Sequence, residues 1–185
     1  MSAATGKAKV LVTEGDPNGR YSVPEDSAFD LRDGDRVIPV EFLRSDELES
    51  IGQALIEKRE SLAHLREGAG IAYLWKREGG KKNGQSTFGQ CRKPSGLLGY
   101  YAAVDFIIWL AADHCRASLF THWQVEASLF HELKHTGMRM TDEGLVWTIQ
   151  GHDWEGFAEE IVFYGDWRPD VVYIRKAFQL TLFEA

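Results

Sequence analysis

Cysteine is scarce in this sequence, which has only Cys91 and Cys115 among its 185 residues. Two cysteines are too few for a disulfide framework, and they lack the paired spacing of a cysteine zinc site. We therefore expect two free thiols in a reducing compartment, which predicts a cytoplasmic protein.

The sequence also lacks a long apolar run and an excess of basic residues. Its most apolar stretch, YYAAVDFIIWLAAD, is interrupted by Asp105 and is too short to cross a bilayer as a helix. The first residues show no secretory signal. A formal net charge of −7 disfavours a protein whose main task is to bind phosphate backbones. No membrane partner is expected.

The chain is predicted to consist of one domain preceded by an arm. Residues 1–40 are rich in turn formers and acidic residues, and we interpret them as a partly ordered N-terminal arm. Residues 41–185 then form the main domain. Ser45 is a predicted cap for a helix that runs to about His64, and the final predicted helices are 153–164 and the stretch after Pro169.

Three strands and a further helical stretch lie between these helices. IAYLWKRE and STFGQCRK are predicted to pair as a hairpin around the turn GGKKNG, and 102–112 is the third strand. A helical stretch in one or two pieces follows, ending in SLFHELKHTG. The order of helix, three strands and helices predicts an α+β fold.

SLFHELKHTG contains the pattern H-E-x-x-H, with His131 and His135 four residues apart. On a helix this spacing places both imidazoles on one face, where both can reach one tetrahedral zinc ion. Glu132 lies roughly 100° further around the helix, beside the metal, where it can hold a zinc-activated water. The pattern therefore predicts a hydrolytic metal site.

A hydrolytic zinc needs a third protein ligand, and the segment GHDWEGF offers two candidates. His152 precedes the last predicted helix, and the 16 residues between it and His135 allow a second helix to return against the first. Glu155 is the rival, because a carboxylate from the next helix can fill the same position. It shares a helix face with Glu159. Spacing alone leaves both residues as candidates for the third ligand.

The succession of the blocks DFIIW, Trp123, SLFHELKHTG and GHDWEGF resembles the phage metallopeptidase family, which is related to SprT-like and other small gluzincin-type zinc proteases. The resemblance covers about Val40 to Gly165. It implies that His131, His135 and His152 bind zinc and that Glu132 is the catalytic carboxylate. It also implies a zincin-like (minigluzincin) fold, in which a small, mostly antiparallel three-stranded sheet packs on the active-site helix.

These observations predict a zinc metallopeptidase that acts on a protein or peptide, with Val104–Leu110 running along an extended substrate. The alternative is a catalytically silent metal-binding protein that interacts with phage or host components. A basic cluster on the predicted hairpin is simplest to interpret as a charged sheet edge, and association with nucleic acid is its other interpretation. The cluster comprises Lys76, Arg77, Lys81, Lys82, Arg92 and Lys93.

Overall fold

The computed structural model describes residues 9–82, 84–152, 157–165 and 167. Its strands are β1 (Asp30–Asp33), β2 (Arg36–Pro39), β3 (Phe42–Arg44), β4 (Ile71–Lys76), β5 (Lys81–Lys82), β6 (Gln85–Ser86), β7 (Gly89–Arg92), β8 (Phe106–Ala111), β9 (Thr136–Thr141) and β10 (Gly144–Ile149). Its α-helices are α1 (Asp46–Lys58), α2 (Gly96–Ala102), α3 (Ala112–Ala117), α4 (His122–Lys134) and α5 (Ala158–Tyr164), with 3-10 helices at Asp26–Phe29 and Glu60–Glu67. The predicted mixture of helices and strands is confirmed.

The main sheet has four strands in the order β3-β4-β8-β7, so the predicted three-stranded sheet is wrong. The β4–β8 pair is parallel, and the other two pairs are antiparallel. The predicted hairpin of β4 and β7 is also wrong, because β8 lies between them. Strand β8 is apolar on both faces and needs cover from both sides, and its buried residues are Phe106, Ile108, Trp109, Leu110 and Ala111.

Three two-stranded hairpins are separate from this sheet: β1–β2, β5–β6 and β9–β10. The glycine-rich segment GGKKNG contains β5, which pairs with β6 directly after it, and the segment around TDEG is the turn between β9 and β10. Helix α2 was not predicted, and it occupies the first residue of the predicted third strand. The predicted helix from Ser45 to His64 is divided, since α1 ends at Lys58 and a 3-10 helix follows.

The helix that carries the histidine motif is anchored at its start and buried along its length. Thr121 and Gln124 form a reciprocal capping box, in which each side chain bonds the other residue's backbone N–H. Leu129, Phe130 and Leu133 have no exposed surface. Helix α4 contacts α1, α5, β7 and β8, so its motif is held between the edge of the sheet and two helices.

Residues 9–40 lie against the rest of the molecule at several points. Val12, Tyr21, Val23 and Phe29 are all buried. Arg77, which directly follows β4, forms ion pairs with Asp26 and Asp30 of this segment at N–O distances of 2.8 and 2.9 Å. The division of the chain at residue 40 stays a prediction. Among the described residues no helix has the length and apolarity needed to span a membrane.

Candidate metal centre

Three histidine side chains converge at one end of helix α4. His131 lies on α4, His135 is the helical C-cap residue that follows it, and His152 comes shortly after β10. One ligand nitrogen of each residue lies within 4.8 Å of the others, and the Nε2 atoms of His131 and His152 are 3.1 Å apart. Two nitrogens bonded to one tetrahedral zinc lie about 3.3 Å apart, because each bond is about 2.0–2.1 Å long. The three imidazoles therefore fit one metal ion.

The β9–β10 hairpin explains how a histidine 16 residues beyond the motif returns to it. The two strands pair from Thr136 to Ile149, so the chain leaves the end of α4 and comes back beside it. At the base of the hairpin the backbone N–H of Gln150 donates to the carbonyl of His135 at 2.7 Å. This register fixes His152 close to the helix end.

The Nδ1 atom of each motif histidine lies within hydrogen-bond distance of an oxygen acceptor. His131 Nδ1 lies 2.6 Å from Oε1 of Glu160, and His135 Nδ1 lies 2.8 Å from the carbonyl oxygen of Gln150. A nitrogen that donates to such an acceptor leaves the lone pair on Nε2, which is the form that binds a metal. Burial lowers the pKa of His135 and so favours its neutral, metal-binding form.

Phe157 forms an apolar wall against all three imidazoles. Its ring centroid lies 5.5 Å from that of His131, 5.0 Å from that of His135 and 5.3 Å from that of His152. The side chain is only 2% exposed. It therefore excludes water from this side of the centre, which strengthens electrostatic interactions there.

Glu132 is buried, and its carboxylate faces the edge strand β7. A Cβ atom placed on Gly89 would lie 2.7 Å from Oε1 of Glu132, closer than real side chains approach. Glycine at this position is therefore what allows the strand to pass directly beside the carboxylate. Strand β7 therefore runs directly beside the carboxylate of the residue that follows His131.

The structure thus brings together His131, His135 and His152 and places Glu132 beside the sheet edge. The rival ligand Glu155 lies outside the described residues. Its predicted neighbour Glu159 bonds Lys134 Nζ at 3.0 Å.

Glu160 was missed by the sequence analysis, although a signal for it exists. It lies three residues after Phe157, on the buried face of α5. A glutamate inside an apolar helix face requires a polar partner, and a motif histidine is such a partner.

A donor set of three imidazoles is typical of zinc, although other divalent metals also accept it. The family model described as "Putative phage metallopeptidase" matches residues 40–178 of the chain. No curated protein and no solved structure matches the chain significantly. The match covers 139 of the 185 residues, from 178 − 40 + 1, and it includes all three histidines and the glutamate. The chain therefore belongs to this phage metallopeptidase family.

Proposed function

We propose that this protein is a zinc-dependent metallopeptidase that hydrolyses peptide bonds with an activated water. The observation that carries the proposal is the convergence of three imidazoles, two of which have their Nδ1 atoms held by oxygen acceptors. Such a set leaves one tetrahedral position for water or substrate, which is the pattern of catalytic rather than structural zinc sites. Membership of a metallopeptidase family supports the same chemistry.

In this proposal His131, His135 and His152 hold the metal, and Glu132 handles the proton. Bound zinc would supply a Lewis acid that lowers the pKa of its water from near 16 to about 7. The Glu132 carboxylate accepts the proton of the attacking water and delivers it to the leaving amine. Its buried position beside the sheet edge keeps this carboxylate close to a substrate bound there.

The substrate would pair with β7 rather than with β8. The earlier expectation that Val104–Leu110 runs along the substrate is wrong, because β8 is already paired on both sides. Strand β7 is the last strand of the sheet, and its outer edge is open among the described residues. An extended peptide can add to such an edge by backbone hydrogen bonds. Gly89 would bring that peptide next to Glu132.

The host cytoplasm is the proposed location, and the two thiols support it. Cys91 and Cys115 are free and buried. Free thiols are the form that a reducing compartment maintains. Burial also raises the pKa of both thiols.

Replacing Glu132 by Gln tests the proposal. The Glu132→Gln variant is expected to bind zinc in the same amount as wild type, because glutamine changes no ligand. It is expected to lose hydrolysis of a broad peptide library, since the amide accepts no proton. Zinc content and cleavage products are measured on the same preparations. Equal cleavage by variant and wild type would show that Glu132 is not the base.

The same measurements distinguish the alternative, a metal-binding interaction protein without turnover. Wild type that holds one zinc and cleaves no member of the library would support this alternative. Wild type that holds no divalent metal would contradict both functions.

A further inference from the structure

The segment that contains the open edge strand is strongly basic although the protein is acidic. Residues 76–93 include six lysines or arginines and a single acidic residue, Glu78, while the whole chain has a formal net charge of −7. The segment runs from the end of β4 through the β5–β6 hairpin to β7. The segment therefore contains the edge strand that lies beside Glu132, together with the residues on both sides of that strand in the chain.

The fold neutralises two of these six cations, both at the end of β4. Lys76 Nζ lies 3.3 Å from a carboxylate oxygen of Glu41. Arg77 bonds Asp26 at 2.8 Å and Asp30 at 2.9 Å. These two residues are committed to the N-terminal part of the chain and are not available to a ligand.

The other four cations have no carboxylate partner among the described residues. Arg92 Nε donates to the side-chain oxygen of Gln90 at 2.6 Å, and Lys93 Nζ donates to the carbonyl of Trp147 at 2.6 Å. Both acceptors are neutral, so they hold the side chains in place without cancelling their charge. Lys81 and Lys82 are exposed on the short hairpin that precedes β7. Uncompensated positive charge therefore lies on both sides of Gly89 along the chain.

We infer that the edge strand β7 selects an acidic, extended polypeptide as substrate. Arg92 is three residues beyond Gly89, which corresponds to about 10 Å along a strand at roughly 3.3 Å per residue. Directly opposed side chains on paired strands have Cβ atoms about 4.5–5.5 Å apart, close enough for an ion pair. An Asp or Glu about three residues from the substrate position opposite Gly89 therefore pairs with Arg92.

A peptide fits this edge better than a nucleic acid. Only a polypeptide can form backbone hydrogen bonds with the open edge of β7. Four cations over a short edge attract a few carboxylates, whereas the net negative charge of the molecule repels a long polyanion. At physiological salt the Debye length is about 8 Å, so the local cations dominate for a short acidic segment.

The test measures binding separately from cleavage, because the inference rests on the proposed function only for the location of the substrate. Two labelled peptide pools share a randomised centre and differ in their flanks, which are Asp/Glu in one pool and Asn/Gln in the other. Binding to the zinc-loaded Glu132→Gln protein is followed by fluorescence anisotropy. The acidic pool is expected to bind about three- to tenfold more tightly at low salt, and the preference is expected to vanish at high salt.

Charge-reversal variants assign the preference to the edge. Arg92→Glu is expected to abolish or invert the preference, and Arg36→Glu, the same charge change on the exposed strand β2, is expected to keep it. A pair of double variants repeats the comparison without changing β7. Lys81→Glu/Lys82→Glu is the test, and Arg32→Glu/Arg36→Glu is its control. Equal binding of the two pools, or a preference that survives Arg92→Glu, overturns the inference.

Two further readouts separate the competing explanations. A DNA duplex that binds more tightly than the acidic pool and depends on Arg92 overturns the peptide assignment in favour of nucleic acid. Cleavage of the same pools by wild type is recorded in parallel. Absence of all cleavage contradicts the proposed peptidase, while a binding preference that depends on Arg92 still supports the charge selectivity of the edge.

Discussion

The Nδ1 atom of His131 and the Oε1 atom of Glu160 lie 2.6 Å apart and join the motif helix to α5. Both side chains are almost fully buried, with 8% and 4% of their surface exposed. The same carboxylate oxygen accepts the backbone N–H of Phe157 at 3.3 Å. One buried carboxylate thus orients a proposed metal ligand and holds the residue that forms the apolar wall behind it.

Glu160→Gln is expected to weaken zinc binding by about 10–100-fold. The amide oxygen can still accept the imidazole N–H, so the ring keeps its orientation. The negative charge that makes the imidazole a better donor to the metal is lost. Zinc affinity is measured by competition with a chelator of known affinity.

Glu159→Gln is the matched control, because it changes the neighbouring residue of the same helix. Glu159 bonds Lys134 and none of the three imidazoles in the described contacts. It is therefore expected to leave zinc affinity close to that of wild type. An equal loss of affinity in both variants would mean that α5 contributes only net charge.

His152→Ala is expected to abolish stable metal binding, and Glu155→Ala is expected to preserve it. His152 Nε2 is 3.1 Å from His131 Nε2, so its removal leaves two ligands where a tetrahedral zinc needs at least three from the protein. The metal-to-protein ratio after dialysis is measured for both variants. Loss of metal from Glu155→Ala with retention in His152→Ala would reverse the assignment.

Local patterns predicted the start of α1 and the motif face correctly, because their causes lie within a few residues. The helix predicted after Pro169 lies outside the described residues. Ser45 accepts the backbone N–H of Leu48 at 3.2 Å and begins α1 as its cap pattern predicts. The spacing of His131 and His135 likewise depends only on the geometry of one helix. His152 could be chosen as a candidate, and its return to the motif depends on a hairpin that composition alone did not reveal.

Strand order and the role of Glu160 could not be predicted in the same way, because both depend on contacts between distant residues. STFGQCRK pairs with β8, which comes later in the chain, rather than with β4, which comes before it. A hairpin is only the simplest pairing for two successive strands. Here the apolar strand β8 takes the position between β4 and β7, where both of its backbone edges are paired. Glu160 contacts His131 across 29 residues, so its partner is visible only in three dimensions.

Gly89→Ala is expected to reduce peptide hydrolysis by about ten- to a hundredfold while the protein stays folded. The new methyl group would meet the Glu132 carboxylate at 2.7 Å and Leu110 Cδ2 at 2.9 Å. Both are ends of flexible side chains that can move, but movement of about 1 Å displaces the proposed base. Turnover and thermal midpoint are measured together.

Gly70→Ala provides the control for this substitution. A Cβ atom there would meet its nearest neighbour at 3.4 Å, which is ordinary van der Waals contact. We expect turnover close to that of wild type. If Gly89→Ala were as active as Gly70→Ala, close approach of β7 to the carboxylate would have no catalytic importance.

Glu126 lies on the motif helix α4 and connects this helix to two other parts of the chain. Its side chain is fully buried and accepts the backbone N–H of Val12 at 2.9 Å and the hydroxyl of Tyr164 at 3.1 Å. Lys58 donates to the carbonyl of Val12, which fixes the same N-terminal residue from the other side. Burial raises the pKa of Glu126 above its usual value of 4.5, and the hydrogen bonds from Val12, Tyr164 and Thr13 oppose this rise.

The raised pKa predicts a pH-dependent contribution of Glu126 to stability. Between the unfolded value of 4.5 and the higher folded value, the folded state binds the proton more strongly than the unfolded state. This contribution is therefore present at acidic pH and is lost as pH rises through the folded pKa. Glu126→Gln removes the titrating group and keeps a similar shape.

The free energy of unfolding is measured in urea for both proteins from about pH 5 to about pH 8. The wild-type value minus the Glu126→Gln value is expected to fall as pH rises. Metal release on unfolding also depends on pH, but it is common to both proteins and cancels in the difference. A difference that rises with pH would mean that hydrogen bonds to the ionised carboxylate outweigh the cost of its burial. The N-terminal segment would then be held to the motif helix by a charged Glu126.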